Sequence, residues 1–261
     1  MKRRKFIAAS CIAGLSSLQR STTAKANPYG SRDYYELRTY TLETAKQKAG
    51  FDRFMKEACI PAMNRINIKP VGVFYPIKED EISPAYVLLR HTSLDAVSTM
   101  VEQLGMDDEF MERGAAFLDA PAAKPAYKRV ESSVMEAFSG MPSIETPIKS
   151  PGRILQLRIY ESPSVKTGLK KIEMFNNGEI DIFRRTGLHP VFFGKTIAGA
   201  HMPNLTYMLV FNNMDERKKN WKQFVGHPDW KAISSIPDYA DKKILCNIQN
   251  IFLRPAPYSQ V

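Results

Sequence analysis

Cysteine is scarce in this sequence. Three occur among 261 residues, Cys11, Cys59 and Cys246, too few to form a disulfide scaffold. Cys59 falls in a predicted amphipathic helix and Cys246 near a predicted strand, so both are expected as buried free thiols. Metal-motif spacing is missing too. The histidines His91, His189, His201 and His227 form no pair at the spacing of a helical or strand site, and no metal ligand is assigned. His91 ends a predicted strand and is the one position where a cavity mouth and haem ligation come into view. His227 reads as a loop residue opening the Asp229-Trp230 turn, and His189 as a strand-edge residue. Absent as well are a Ser-His-Asp or Cys-His grouping, a glycine-rich phosphate loop and a Cys-x-x-Cys pair, which disfavours nucleophilic and nucleotide chemistry.

The apolar stretch from Phe6 to Leu18 is too short to cross a bilayer core of about 30 Å as a stable helix. It has the layout of a secretory signal instead: a basic start, an apolar middle, and the small-residue site Ala24-Lys25-Ala26, giving a signal peptide over 1–26. Arg3-Arg4 followed by Lys5, Phe6 and Ile7 resembles the twin-arginine export signal, with an ordinary Sec signal as the alternative. Ala8-Ala9-Ser10 argues against a lipid anchor on Cys11, because a leucine-like residue is missing three positions before it. The expected location is the periplasm or the exterior of a bacterium, with no membrane association once the signal is gone. Residues 1–26 carry six basic residues and no acid, so removing them leaves 31 basic against 27 acidic residues, a net charge of +4. The pI of 9.4 is therefore largely a property of the signal, and a nucleic-acid partner loses its support. Arg217-Lys218-Lys219 is read as a solvated helix face.

What the chain does contain is an internal repeat at an offset of 120 residues. Leu37-Arg38-Thr39-Tyr40 falls on Leu157-Arg158-Ile159-Tyr160, Ile60 on Ile180, Arg65 on Arg185, and Pro70-Val71 on Pro190-Val191. A period this long denotes a duplicated domain, since solenoid repeats run to about 20–50 residues. The first copy spans 34–138, a Gly/Pro/Ser-rich linker 139–152, and the second copy 153–254.

Each copy reads as strand, helix, two strands, helix, strand. The strands are predicted at 35–40, 71–75, 86–90 and 132–138, then at 154–160, 191–193, 207–211 and 248–253. Helical spacing covers Phe51, Phe54, Met55, Ala58 and Ala62, and less regularly Ile172, Phe175, Ile182 and Phe183. Asp95 and Asp215 are placed at helix N-caps. The order βαββαβ is the ferredoxin-like unit. The fold class is α+β: tandem ferredoxin-like repeats whose bare sheet faces cover one another as an intrachain dimeric α+β barrel, helices outside and a cavity inside. Alternation assigns Leu155, Leu157 and Ile159 to the helices. It points Glu36, Arg38, Tyr40, Gln156, Arg158 and Tyr160 into the cavity as ligand-binding candidates. Two enclosed arginines either pair with acids or recognise an anionic or carbonyl ligand. Tyr75 and Tyr86 line the same cavity or serve as core aromatics with satisfied hydroxyls.

Glu36-Leu37-Arg38-Thr39-Tyr40, Ile68-Lys69-Pro70-Val71-Gly72-Val73-Phe74 and Gly226-His227-Pro228-Asp229-Trp230 together resemble the NIPSNAP family across both repeats. The resemblance implies the dimeric α+β barrel superfamily, whose members include small monooxygenases, haem-handling enzymes and stress proteins without known catalysis. It supplies no catalytic motif to carry over residue by residue, and the second copy departs from it by placing Gln156 where the first has Glu36. The mitochondrial signalling roles of eukaryotic members do not transfer to a chain with a bacterial export signal. Three functions remain in view: binding of a small molecule between the sheets, an oxidoreductase or monooxygenase that uses haem or little cofactor, and a non-catalytic assembly module, with homo-oligomers allowed.

Overall fold

The structure, a computed structural model, describes residues 31–78 and 84–261. The segment 1–26 expected to be a signal peptide, Cys11, and residues 79–83 of the first strand–strand turn lie outside the described residues.

Eight strands form one closed barrel, in the order β1-β3-β2-β8-β5-β7-β6-β4. The first half supplies β1 (Tyr34–Thr41), β2 (Val71–Pro76), β3 (Ala85–His91) and β4 (Arg129–Ala137). The second supplies β5 (Ile154–Glu161), β6 (His189–Ala198), β7 (Asn204–Phe211) and β8 (Asn247–Pro255). Each half is a four-stranded antiparallel sheet, and closure comes from β2 pairing β8 and β4 pairing β6. Closure removes the edges that either sheet would present alone.

The opening helix of each half begins on a hydroxyl cap. Thr44 accepts from the Gln47 amide at 3.1 Å before α1 (Ala45–Phe54), and Ser164 caps α5 (Val165–Met174) through a reciprocal pair with Thr167. Both helices then widen into a π turn, Met55–Cys59 or Phe175–Glu179, before α2 (Ile60–Arg65) and α6 (Ile180–Arg185). Both helices share this turn, so the less regular apolar spacing of the second has another source: Lys171 and Glu179 stand where the first has Phe51 and Cys59.

After β3 come α3 (Leu94–Gly105) and α4 (Asp108–Leu118). After β7 come α7 (Met214–Gly226), α8 (Pro228–Ser234), a 3-10 turn at Pro237–Tyr239 and the short α9 (Asp241–Ile244). Asp95 and Asp215 are not the caps. Ser93 accepts from the Ala96 amide at 3.1 Å, and Asn213 accepts from the Asp215 and Glu216 amides. A cap needs extended backbone, which Ser93 and Asn213 have; Asp95 and Asp215 sit within the first turn, where their charge meets the helix dipole.

Three apolar clusters define the layers. One joins the first-half helices to Val71, Val73, Tyr75, Val87 and Leu89, and another joins the second-half helices to Phe193, Leu205, Tyr207 and Leu209. The third draws on all eight strands, including Tyr35, Leu37, Phe74, Leu88, Met135, Leu155, Leu157, Phe192, Met208 and Leu253, and is the barrel interior. An eight-stranded barrel is just wide enough for side chains to fill, and here they do. A Cβ on Gly72 would lie 2.5 Å from the Phe74 ring, so that ring occupies the space a larger residue would need. The connection 139–152 is held down as well: the Glu145 amide donates to the Val191 carbonyl at 2.9 Å, and Ile144 and Ile148 pack against the interior cluster.

Both described cysteines are free. Cys59 is buried as expected, but Cys246 is exposed, because it precedes β8 at the end of the strand rather than entering a core face.

Candidate functional site

The interior cluster inverts the facing assigned to the six candidates. Leu155 and Leu157 point into the barrel, while Glu36, Arg38, Tyr40, Gln156, Arg158 and Tyr160 lie on the helix side of their sheets, where Arg38 meets Met100 of α3 and Gln156 meets α7. The physical reason is water. A filled eight-stranded interior excludes it and selects the aliphatic positions, whereas the layer beneath the helices leaves guanidinium tips a route to solvent. The six residues therefore do not meet between the two sheets, and the structure splits them into two groups.

In the first half Glu36 and Arg38 neutralise each other. Arg38 donates to both carboxylate oxygens, Nε at 2.6 Å and Nη2 at 3.1 Å, and Ser132 donates to Oε1 at 2.7 Å. His91 is fully buried rather than at a cavity mouth; its Nε2 stands 3.5 Å from Glu36 Oε2 without hydrogen-bond geometry. Burial pushes the Glu36 carboxyl up, but His91, Arg38 and Ser132 outweigh it and hold the group at about 2. Tyr40 packs edge-on to Tyr127 and tilted on Phe51, a core aromatic. Tyr75 is one too, its hydroxyl donating to Asp52 Oδ1 at 2.6 Å, and Tyr86 packs on the interior cluster.

The second half has the same frame with the acid missing. Gln156 occupies the place of Glu36 but donates to its strand neighbour, Asn250 Oδ1, at 2.7 Å, whereas Glu36 accepts from Ser132. Its Oε1 is taken by Trp221 Nε1 at 2.8 Å and Arg217 Nε at 3.1 Å, both from α7. Among the described residues no carboxylate pairs with Arg158, whose buried Nε has no hydrogen-bond partner there. Its guanidinium carbon instead lies 4.9 Å from the Trp221 ring centre, 5.2 Å from Tyr160 and 6.0 Å from Tyr207. Arg217 stacks on Phe252 at 4.8 Å, and its pKa is pushed down by burial first and by Arg158 second. Two guanidinium groups thus repel one another over an aromatic floor, and among the described residues neither forms an ion pair.

Residues 155–260 match the NIPSNAP family model. The match covers most of the second half of the chain, the half that carries Arg158. No curated protein matches the chain. Among solved structures, a candidate monooxygenase from Fusobacterium nucleatum aligns at TM-score 0.56 and 7% identity, over 86% of this chain and 93% of its own. A second candidate monooxygenase, from Lactobacillus acidophilus, aligns at 0.55 and 10% identity over 86% and 94%. An anthrone oxidase-like protein aligns at 0.51 and 8% identity over 87% and 93%. At these identities the likeness establishes a shared α+β barrel fold.

Beneath Arg158 the second half buries a polar cluster that its sequence does not single out. Lys171 of α5 and Glu179 of the π turn pair at 3.2 Å, both almost wholly buried, and Lys171 also lies over the Phe175 ring at 4.9 Å. Burial opposes the Lys171 ammonium, yet Glu179 and then Asp241 outweigh it and raise its pKa, so the charge is kept. Alongside, the Tyr160 and Tyr207 hydroxyls share a hydrogen bond at 2.9 Å, and burial raises both phenols. Arg217, read as a solvated residue, is half-buried and bonded to Gln156, while Lys218 and Lys219 are exposed as expected. One signal was available: under the 120-residue offset, Lys171 and Glu179 fall on Phe51 and Cys59, charges in place of core residues. Among the other histidines, His227 caps α8 through Nδ1, accepting from the Asp229 amide at 3.2 Å, and His189 opens β6. Among the described residues, no group of three His, Cys, Asp or Glu side chains comes together as a metal site.

Proposed function

We propose that the protein binds a small organic anion on the helix side of its second sheet, with Arg158 and Arg217 as the donors and Trp221, Tyr160 and Tyr207 as the aromatic floor. The carrying observation is the unmatched Arg158: the same strand position is neutralised by Glu36 in one half and left without an acid in the other. Glu179 acts on Arg158 at longer range, but its carboxylate is engaged by Lys171. A guanidinium offers paired donors to a planar carboxylate or phenolate, and the flanking rings suit an aromatic body. The barrel fold shared with monooxygenase candidates supports oxidation of the bound molecule as a second step, and oxygen uptake in the presence of a ligand checks it. We place the protein in the periplasm; cell fractionation followed by amino-terminal sequencing tests removal of residues 1–26.

Trp221 and Trp230 are the only tryptophans, and Trp221 forms part of the floor, so intrinsic fluorescence reports on the site. Titration with benzoate, salicylate and 2-naphthoate is expected to give saturable quenching, with the corresponding amides at least tenfold weaker. Arg158→Gln is expected to weaken acid binding by at least tenfold with little change in thermal stability. Equal affinity for the acid and its amide, or an unaffected Arg158→Gln variant, would reject the assignment.

A further inference from the structure

The first half holds a second feature of different chemistry, remote from Arg158 in the sequence and built on other elements. A groove of about 450 Å³ runs between α1 and α4 and is bounded on its far side by the segment 120–126. Its floor is the stacked pair Phe54 and Phe117, ring centres 4.2 Å apart and nearly parallel. Gly114 permits the approach of the two helices, since a Cβ there would already lie 3.2 Å from the Phe54 ring. Gly50 leaves the groove open on the α1 side: a Cβ at that position meets nothing within 4 Å.

The rim carries one sign of charge. Lys46, Arg53, Arg113 and Lys124 line the groove, and among the described residues no Asp or Glu does. Arg113 is tied to Glu109 at 3.1 Å, whereas no ion pair among the described residues engages Lys46, Arg53 or Lys124. The sequence produces this face directly, because Lys46, Gly50, Arg53 and Phe54 recur at three- and four-residue spacing along α1. The second half covers the corresponding helix face. There α5 is overlaid by the Pro237–Tyr239 turn, whose Tyr239 hydroxyl donates to Glu173 Oε1 at 2.8 Å while Lys170 sits over the Tyr239 ring.

From this apolar floor under an unopposed cationic rim, we infer that the groove binds a medium-chain fatty carboxylate, its alkyl chain along Phe54 and Phe117 and its carboxylate among Lys46, Arg53 and Lys124. The volume falls within the range of about 300–1,000 Å³ typical of small-molecule sites. Long side chains with free ammonium or guanidinium heads reach an anion at the mouth while their stems cover the apolar wall. An aromatic acid bound at Arg158 would leave this groove unoccupied, so the two sites are separable.

The test is calorimetric titration of the full chain with sodium decanoate below its micellar concentration, with decanol and anionic phospholipid vesicles as parallel arms. One-site binding of decanoate, at least tenfold tighter than decanol, is expected. Gly50→Phe places a ring into the open groove and is expected to abolish binding while leaving the benzoate response at Trp221 intact. Should that variant fold poorly by circular dichroism, the triple change Lys46→Gln, Arg53→Gln, Lys124→Gln serves, with an expected loss of at least tenfold. Equal affinity for decanol, binding that survives Gly50→Phe, loss of binding in Arg158→Gln, or association with vesicles alone overturns the inference.

Discussion

In the first half Phe51 and Cys59 are buried in one apolar cluster beneath the helices; 120 residues later, Lys171 and Glu179 stand in the same places as an ion pair. One strand away the exchange runs in the opposite direction. Glu36 neutralises Arg38 in the first half, and Gln156 leaves Arg158 unneutralised in the second. The frames agree, strand for strand and even to the π turn in each opening helix. What differs is where each half spends buried charge: the first closes its arginine and keeps its helix layer apolar, while the second places a salt bridge in the helix layer and leaves an arginine available. A barrel whose closure depends on both sheets keeps both backbones, while each helix side is free to diverge. Function is accordingly sought on the helix side of the half that carries unmatched charge.

The sharpest way to break the comparison is to make the second half resemble the first. Lys171→Met alone leaves the Glu179 carboxylate buried without its partner, and removal of one member of such a pair costs about 3–5 kcal/mol. The double change Lys171→Phe with Glu179→Cys installs the residues that the first half uses and is expected to recover most of that loss. Urea unfolding of the two variants decides it. If the double variant is as unstable as the single one, the pair is specific to its surroundings and the two helix layers are not interchangeable.

The converse change, Glu36→Gln, imposes the second half's choice on the first. The folded-state value of about 2 lies below the ordinary 4.5, so the stabilisation from Glu36 is complete above about pH 4.5 and is lost as the pH falls towards 2. A shift of that size corresponds to about 3 kcal/mol near neutral pH. Unfolding midpoints measured from pH 7 to pH 2 are expected to show the variant well below the parent at neutrality, the gap closing in acid. A constant gap would mean that Glu36 contributes through packing and not through its charge.

Most of this frame is readable without coordinates, because the 120-residue register places Leu37-Arg38-Thr39-Tyr40 on Leu157-Arg158-Ile159-Tyr160 and alternation marks the opening strand of each half. Alternation separates the faces of a strand but does not say which one closes inward. In β5 both choices put three related residues on a side, and only the filled interior around Leu155 and Leu157 settles the matter. The second gap has a different cause. Lys171 and Glu179 are charged, and a periodicity reading that follows apolar residues alone passes over them. Arg217 was missed because a basic run looks solvated wherever it occurs, and its half-burial depends on the packing of α7 over Gln156.

Gln156→Glu is the smallest change and the one that bears most directly on the proposed site. A carboxylate at that position would face Arg158 and Arg217, still accept from Trp221 Nε1, and require only that Asn250 turn its amide nitrogen towards it. Charge-assisted hydrogen bonds in place of neutral ones are expected to add about 1 kcal/mol to stability, while the arginines, now neutralised in place, lose their affinity for benzoate. Stability and ligand affinity should therefore move in opposite directions in a single variant. A merely structural Arg158 predicts the gain in stability with no effect on the tryptophan titration, and a site that does not use charge predicts unchanged binding whatever happens to the melting temperature.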